Sequence, residues 1–158
     1  MSTEAGEYIV GAYLQERLNC TVVLYNVRAP GGGLKGLPEL DVVGLDLKKR
    51  RAFLCEVTTH LHGMNRSVVA RMEKKHAQQK LYAEAVLGGF EPYFMLWSPC
   101  VAAPELTLLR SHMGLTLVVN RSFKRAVARL QKIAKESRRT TGNPFMRSLQ
   151  ILAHLNDR

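Results

Sequence analysis

The residues of this chain best equipped for chemistry lie in the segment GLPELDVVGLDLKKRRAFLCEVTTH, where Glu39, Asp41 and Glu56 stand among apolar neighbours. The segment reads as two strands, Leu37 to Leu47 and Ala52 to Thr59, joined by the basic run Lys48-Lys49-Arg50-Arg51. A hairpin turning between Lys48 and Lys49 pairs residues whose numbers sum to 97, which sets Asp41 opposite Glu56. Side chains alternate along a strand, so Glu39, Asp41, Val43 and Leu45 share one face. Ala52, Leu54, Glu56 and Thr58 share the matching one. Like charges directly opposite on a sheet are destabilising, and burial makes their company worse. Three arrangements relieve it: a hard divalent cation between the carboxylates, an Arg or Lys paired with one of them, or a slipped register that keeps them apart.

Other elements must position this pair. Thr3 to Leu18 reads as an amphipathic helix, with Val10, Leu14 and Leu18 at helical spacing and Ser2 or Thr3 as its cap. Thr21 to Val27 is a β-branched and aromatic strand, followed by the breaker-rich loop APGGGLKGLP. Arg66 to Leu87 is a long helix closed by Gly88-Gly89. Phe90 to Trp97 and Leu115 to Asn120 are strands, the first placed at a sheet edge by Pro92, with a short helix available over Ala102 to Ser111. Arg121 to Arg139 is a basic amphipathic helix, and Asn143-Pro144 opens a last helix through Leu155. The expectation is one α/β domain over residues 1–158, with a core at about 3–120 and a basic helical extension at about 121–158.

Glu7 on the first helix, Glu39-Leu40-Asp41 and Glu56-Val57-Thr58, in that order, resemble the PD-(D/E)XK, or restriction-endonuclease-like, nuclease superfamily. The resemblance covers roughly residues 3 to 98 and implies an αβββαβ core with a mixed central sheet flanked by helices. It implies that Asp41 and Glu56 hold Mg²⁺ or Mn²⁺, with the carbonyl of Val57 as a third ligand and Glu7 contributing to the same site. Glu7 has a second reading, as a first-turn carboxylate favoured by the helix dipole. Gln78 and Tyr82 match the Gln-x-x-x-Tyr motif of RecB-like members. The chain departs from the pattern where the catalytic lysine is expected, because that position is Thr58. Either the lysine has moved to the following helix or it is lost. Arg71, Lys75, Gln78 and Tyr82 fall on one helical stripe, which makes Lys75 the first candidate and Lys74 the second.

Charge favours a polyanionic partner. The 158 residues carry a formal net charge of +10, and Arg121 to Arg158 alone hold ten Lys and Arg against two Asp and Glu. Lys48, Lys49, Arg50, Arg51, Arg71, Lys124, Arg125, Arg129 and Lys132 are the candidate phosphate contacts, with a solvated basic face as the plainer reading. No apolar run is long enough to span a membrane. The N-terminus lacks a signal-peptide layout, and three cysteines without a CxxC suit a reducing cytoplasm. The expected partner is nucleic acid, DNA before RNA, and cutting both strands of a duplex calls for a homodimer.

The expected activity is Mg²⁺-dependent phosphodiester hydrolysis. The alternatives are a catalytically inactive relative that binds nucleic acid or serves an assembly, and a basic scaffold unconnected with nucleases. His60 and His62 fall on the Glu56 face if the strand continues, and otherwise sit in a polar turn. Cys55 alternates away from Glu56 as a small core residue, while Tyr93, Phe94 and Trp97 are core aromatics before they are base-stacking ones. A Gly31 to Gly33 loop closing over substrate competes with a plain connector, and His112 and His154 carry no partner pattern.

Overall fold

The computed structural model describes residues 3–28, 39–111 and 114–155. The glycine-rich loop, Ser2 and His112 lie outside the described residues. The elements run α1 (Ala5–Leu18), β1 (Val22–Val27), β2 (Leu40–Asp46), β3 (Arg51–Val57), α2 (Arg66–Val86), β4 (Glu91–Ser98), α3 (Ala103–Arg110), β5 (Leu115–Val119), α4 (Arg121–Glu136) and α5 (Pro144–His154). The first six reproduce the αβββαβ order. One five-stranded sheet holds the strands in sequence order. β1, β2 and β3 are antiparallel neighbours, whereas β4 and β5 join parallel to β3. The chain is therefore a mixed α/β domain.

Two departures from the sequence reading have local causes. α1 starts later, with Glu4 as its cap, because the Glu7 carboxylate accepts from the Glu4 N–H at 3.1 Å. β4 is not an edge strand. Pro92 pairs toward β3 opposite Ala52, and β5 joins only from Phe94, so the missing N–H falls where no β5 residue pairs.

The sheet is covered on both faces. On one, Val10 and Leu14 of α1 meet Val42, Phe53, Cys55, Met95 and Trp97, and α4 adds Phe123 and Ala126. On the other, α2 lays Val68, Val69 and Met72 beside Leu96 and Val119, and Tyr82 and Ala83 against Val43, Ala52 and Leu54. α5 forms an outer layer, with Met146 packed against Ala12, Leu130 and Ala134. The basic C-terminal helices are thus built into the same body as the sheet. Asn143 secures them: its Oδ1 accepts from the Met146 N–H at 3.0 Å. Its Nδ2 donates to the Tyr8 carbonyl at 2.9 Å and the Tyr25 hydroxyl at 3.2 Å.

Candidate metal centre and nucleic-acid interface

The β2–β3 register runs from Asp46↔Arg51 to Val42↔Cys55, and one further step sets Asp41 opposite Glu56. Glu56 is only 4% exposed and faces α2. Asp41 Oδ2 accepts from the Val57 N–H at 2.8 Å, which ties the two strand ends together and leaves Oδ1 available. α2 then delivers a cation. Lys75 Nζ donates to Glu56 Oε1 and stands 4.0 Å from Asp41 Oδ1. The register is unslipped, and a lysine already partners the pair. Lys74 is exposed and does not line this site.

α1 supplies a third carboxylate by approaching the end of β3 very closely. A Cβ on Gly6 would collide with Thr59 Cγ2 and lie 3.1 Å from Val57 Cγ1, so only glycine fits there. The next residue, Glu7, is buried beside Asp41. Its two readings merge: the carboxylate caps α1 and also lines the cleft.

Asn26 was not singled out from sequence. It interrupts β1 with φ +52°, between the pairs Tyr25↔Val42 and Val27↔Leu40, directly across from Asp41. From there its Nδ2 donates to Glu7 Oε2 at 3.4 Å and to Thr3 Oγ1 at 3.3 Å. A left-handed residue inside a strand is strained and re-aims its side chain. The available signal was a lone Asn within the apolar run TVVLYNV.

These groups line a cleft of about 540 Å³, together with Glu39, Thr58, His60 and Arg71. Burial pushes the Asp41 carboxyl up from its ordinary range, against the Val57 N–H and Lys75, which pull it down. Burial also raises Glu7, opposed by the Glu4 N–H and reinforced by the Asp41 charge. Both carboxyls therefore hold a proton more tightly than in water, and a cation placed beside them would oppose that shift. Among the described residues, no three His, Cys, Asp or Glu side chains are grouped so as to hold a metal ion between them. The set instead suits a hard ion such as Mg²⁺, which binds through one or two carboxylates and fills its remaining positions with water and phosphate oxygens.

The rest of the proposed stripe is not brought here. Tyr82 is packed among Leu54, Val43 and Ala52, and neither it nor Gln78 lines the cleft. From Lys75 to Tyr82 the helix rises roughly 10 Å, far enough to leave the site for the apolar core. His60 lies past the end of β3 and reaches the cleft, whereas His62 does not. Cys55 is fully buried on the opposite face, and burial drives its thiol well above the ordinary range.

The basic candidates scatter. Lys48 to Arg50 lie in the far turn of the hairpin and Arg51 opens β3, at least roughly 17 Å along β2 from Asp41 at strand rise. Arg51 is not a free phosphate contact, because its Nη2 pairs with buried Asp46 at 2.7 Å. Arg50 donates to the Gly89 carbonyl at 2.8 Å and stacks over Phe90, so it clamps two turns together. Lys48 and Lys49 are exposed. On α4, Lys124 is exposed, Arg129 reaches the Tyr13 hydroxyl at 3.4 Å, and Lys132 sits 3.8 Å from Glu136. Arg125 turns instead toward β5 with Arg121.

Comparison with protein-family models gives no match. Comparison with curated proteins gives none either. Among solved structures, the chain is similar to the crystal structure of a repair endonuclease from Pyrococcus abyssi, at 15% identity and a TM-score of 0.45. The match covers 74% of this chain and 47% of that one, so the chain spans about half the length of that relative.

Proposed function

We propose that this protein is a divalent-metal-dependent nuclease that hydrolyses phosphodiester bonds, with DNA as the first substrate to test. The convergence of Asp41, Glu56 and Lys75 on one open cleft carries the reading. Asp41 and Glu56 would hold Mg²⁺ or Mn²⁺, with the Val57 carbonyl at the same strand end. The ion would supply Lewis-acid polarisation of the phosphodiester and a more acidic water. The chain's own residues do the rest. The Val57 N–H fixes the rotamer of Asp41, and Asn26 steadies Glu7. Lys75, anchored on α2, orients the attacking water and offsets negative charge growing on the phosphoryl oxygens. Arg71, one turn earlier and exposed at the rim, holds a flanking phosphate.

Labelled single- and double-stranded DNA and RNA, incubated with Mg²⁺, Mn²⁺ or EDTA, test this directly. Metal-dependent cleavage lost in Asp41→Ala and Glu56→Ala supports it. No cleavage of any substrate with either metal overturns it.

One observation favours the second reading, an inactive binding or assembly subunit. Thr58 stands two residues after Glu56, and Lys75 is already closed on Glu56. Mn²⁺ binding that needs both carboxylates, without cleavage by the unaltered protein, selects that reading.

A further inference from the structure

Away from the acidic cleft, the outer edge of β5 forms a groove of about 560 Å³ between α3 and the start of α4. Its floor is apolar, made by Leu115, Leu117 and Val119. Its rim carries Arg110, Arg121 and Arg125, all exposed. Among the described residues, no carboxylate lines the groove and none of the three guanidiniums has a hydrogen-bond or ion-pair partner. Three cations around one groove repel each other, and an anion bound between them relieves the repulsion.

The register ties this groove to the cleft. Glu56 pairs with Leu96 and Leu96 with Leu117, so Glu56 and Leu117 stand in one row, two strands apart. Two strand spacings are about 10 Å. Because β3, β4 and β5 run parallel, Arg121 emerges at the same end of the sheet as Val57. Along the axis of duplex DNA, 10 Å is about three base pairs.

The geometry points to this groove as a binding site for backbone phosphates of the nucleic-acid strand flanking the bond held at Asp41 and Glu56. The guanidiniums take the phosphates, and the sugar or base lies on Leu115 and Leu117. The inference rests on the nuclease reading for its register but not for its ligand. A second copy of the chain is a poor occupant, since pairing through β5 would set three arginines against three. An acidic peptide pairing with the β5 edge is the competing occupant.

The test is anisotropy of a fluorescein-labelled oligonucleotide in EDTA, titrated at a series of NaCl concentrations. In Arg121→Gln/Arg125→Gln, affinity falls about tenfold and the slope of log Kd against log salt becomes shallower by about 1.5 to 2. The charge-matched Arg138→Gln/Arg147→Gln shifts both by much less. Equal binding by the groove double variant and the unaltered protein overturns the inference. Tighter binding of a polyglutamate peptide than of the oligonucleotide, lost in the same variant, also overturns it. Cleavage of labelled DNA or RNA by the unaltered protein with Mg²⁺ or Mn²⁺ reports the nuclease reading separately. If that is absent while the oligonucleotide-binding results hold, the groove stands and the catalytic reading fails.

Discussion

At the scale of single residues, the site is a balance of charge around Lys75. Removing its ammonium leaves Glu56 buried without its cation and Asp41 with less compensation. Lys75→Met should lower metal-free stability by about 1–3 kcal/mol in urea unfolding. Mn²⁺ should recover much of that loss while cleavage stays at least about 100-fold down. A variant that is destabilised but cleaves normally would strip Lys75 of its catalytic role. The pH dependence has a definite sign. Asp41 and Glu7 hold their protons more tightly in the fold than in the unfolded chain. Their ionisation therefore works against the fold as pH rises through and above the ordinary carboxylate range. Asp46, held low by the Lys49 N–H and by Arg51, contributes stability at higher pH that is lost on acidification. Asp41→Asn should remove part of the first effect and leave the second, as seen in urea midpoints across pH. Because Mn²⁺ competes with the raised protons, calorimetry should show its affinity weakening steadily on acidification.

At the scale of elements, two backbone features carry α1 and β1 into the site. Gly6 lets the helix approach β3, and Asn26 bends the edge strand toward Glu7. Asn26→Val should cost about 1–3 kcal/mol, since a β-branched residue resists a positive φ. Asn26→Gly keeps the conformation and loses only the amide. The glycine variant should therefore unfold close to the unaltered protein but bind Mn²⁺ more weakly, and Mn²⁺ binding by Asn26→Gly equal to that of the unaltered protein would show that the amide does nothing for Glu7. Elements also show how far periodicity reached. The stripe Arg71, Lys75, Gln78 and Tyr82 is a true helical face, yet α2 crosses from cleft to core along its length. Spacing places residues on a face, but it does not say what each turn of that face meets.

At the scale of the whole molecule, the basic C-terminal quarter is structural as well as cationic. α4 closes the core through Phe123 and Ala126, and Asn143 joins α5 to α1 and β1. Asn143→Ala should cost about 1–3 kcal/mol, losing a helix cap and two hydrogen bonds to half-buried partners together. One cooperative transition shifted to lower stability, coincident by circular dichroism and intrinsic fluorescence, is the expected result, rather than an early melting of α5. Among the described residues, no helix is long and apolar enough to cross a membrane.

Sequence alone placed the β2–β3 hairpin and, for a turn between Lys48 and Lys49, the meeting of Asp41 with Glu56, because alternation and pairing across a short turn are local rules; that the register does not slip was decided by the structure. Sequence also placed Lys75 on the right helix face. Only the tertiary structure decided that Glu7 and Asn26 join them, that Tyr82 does not, and that Arg51 belongs to Asp46 while Arg121 and Arg125 share a groove with Arg110. Those outcomes depend on how elements distant in the chain pack together. Such packing follows from side-chain shape and close backbone approach, which no spacing within one segment encodes.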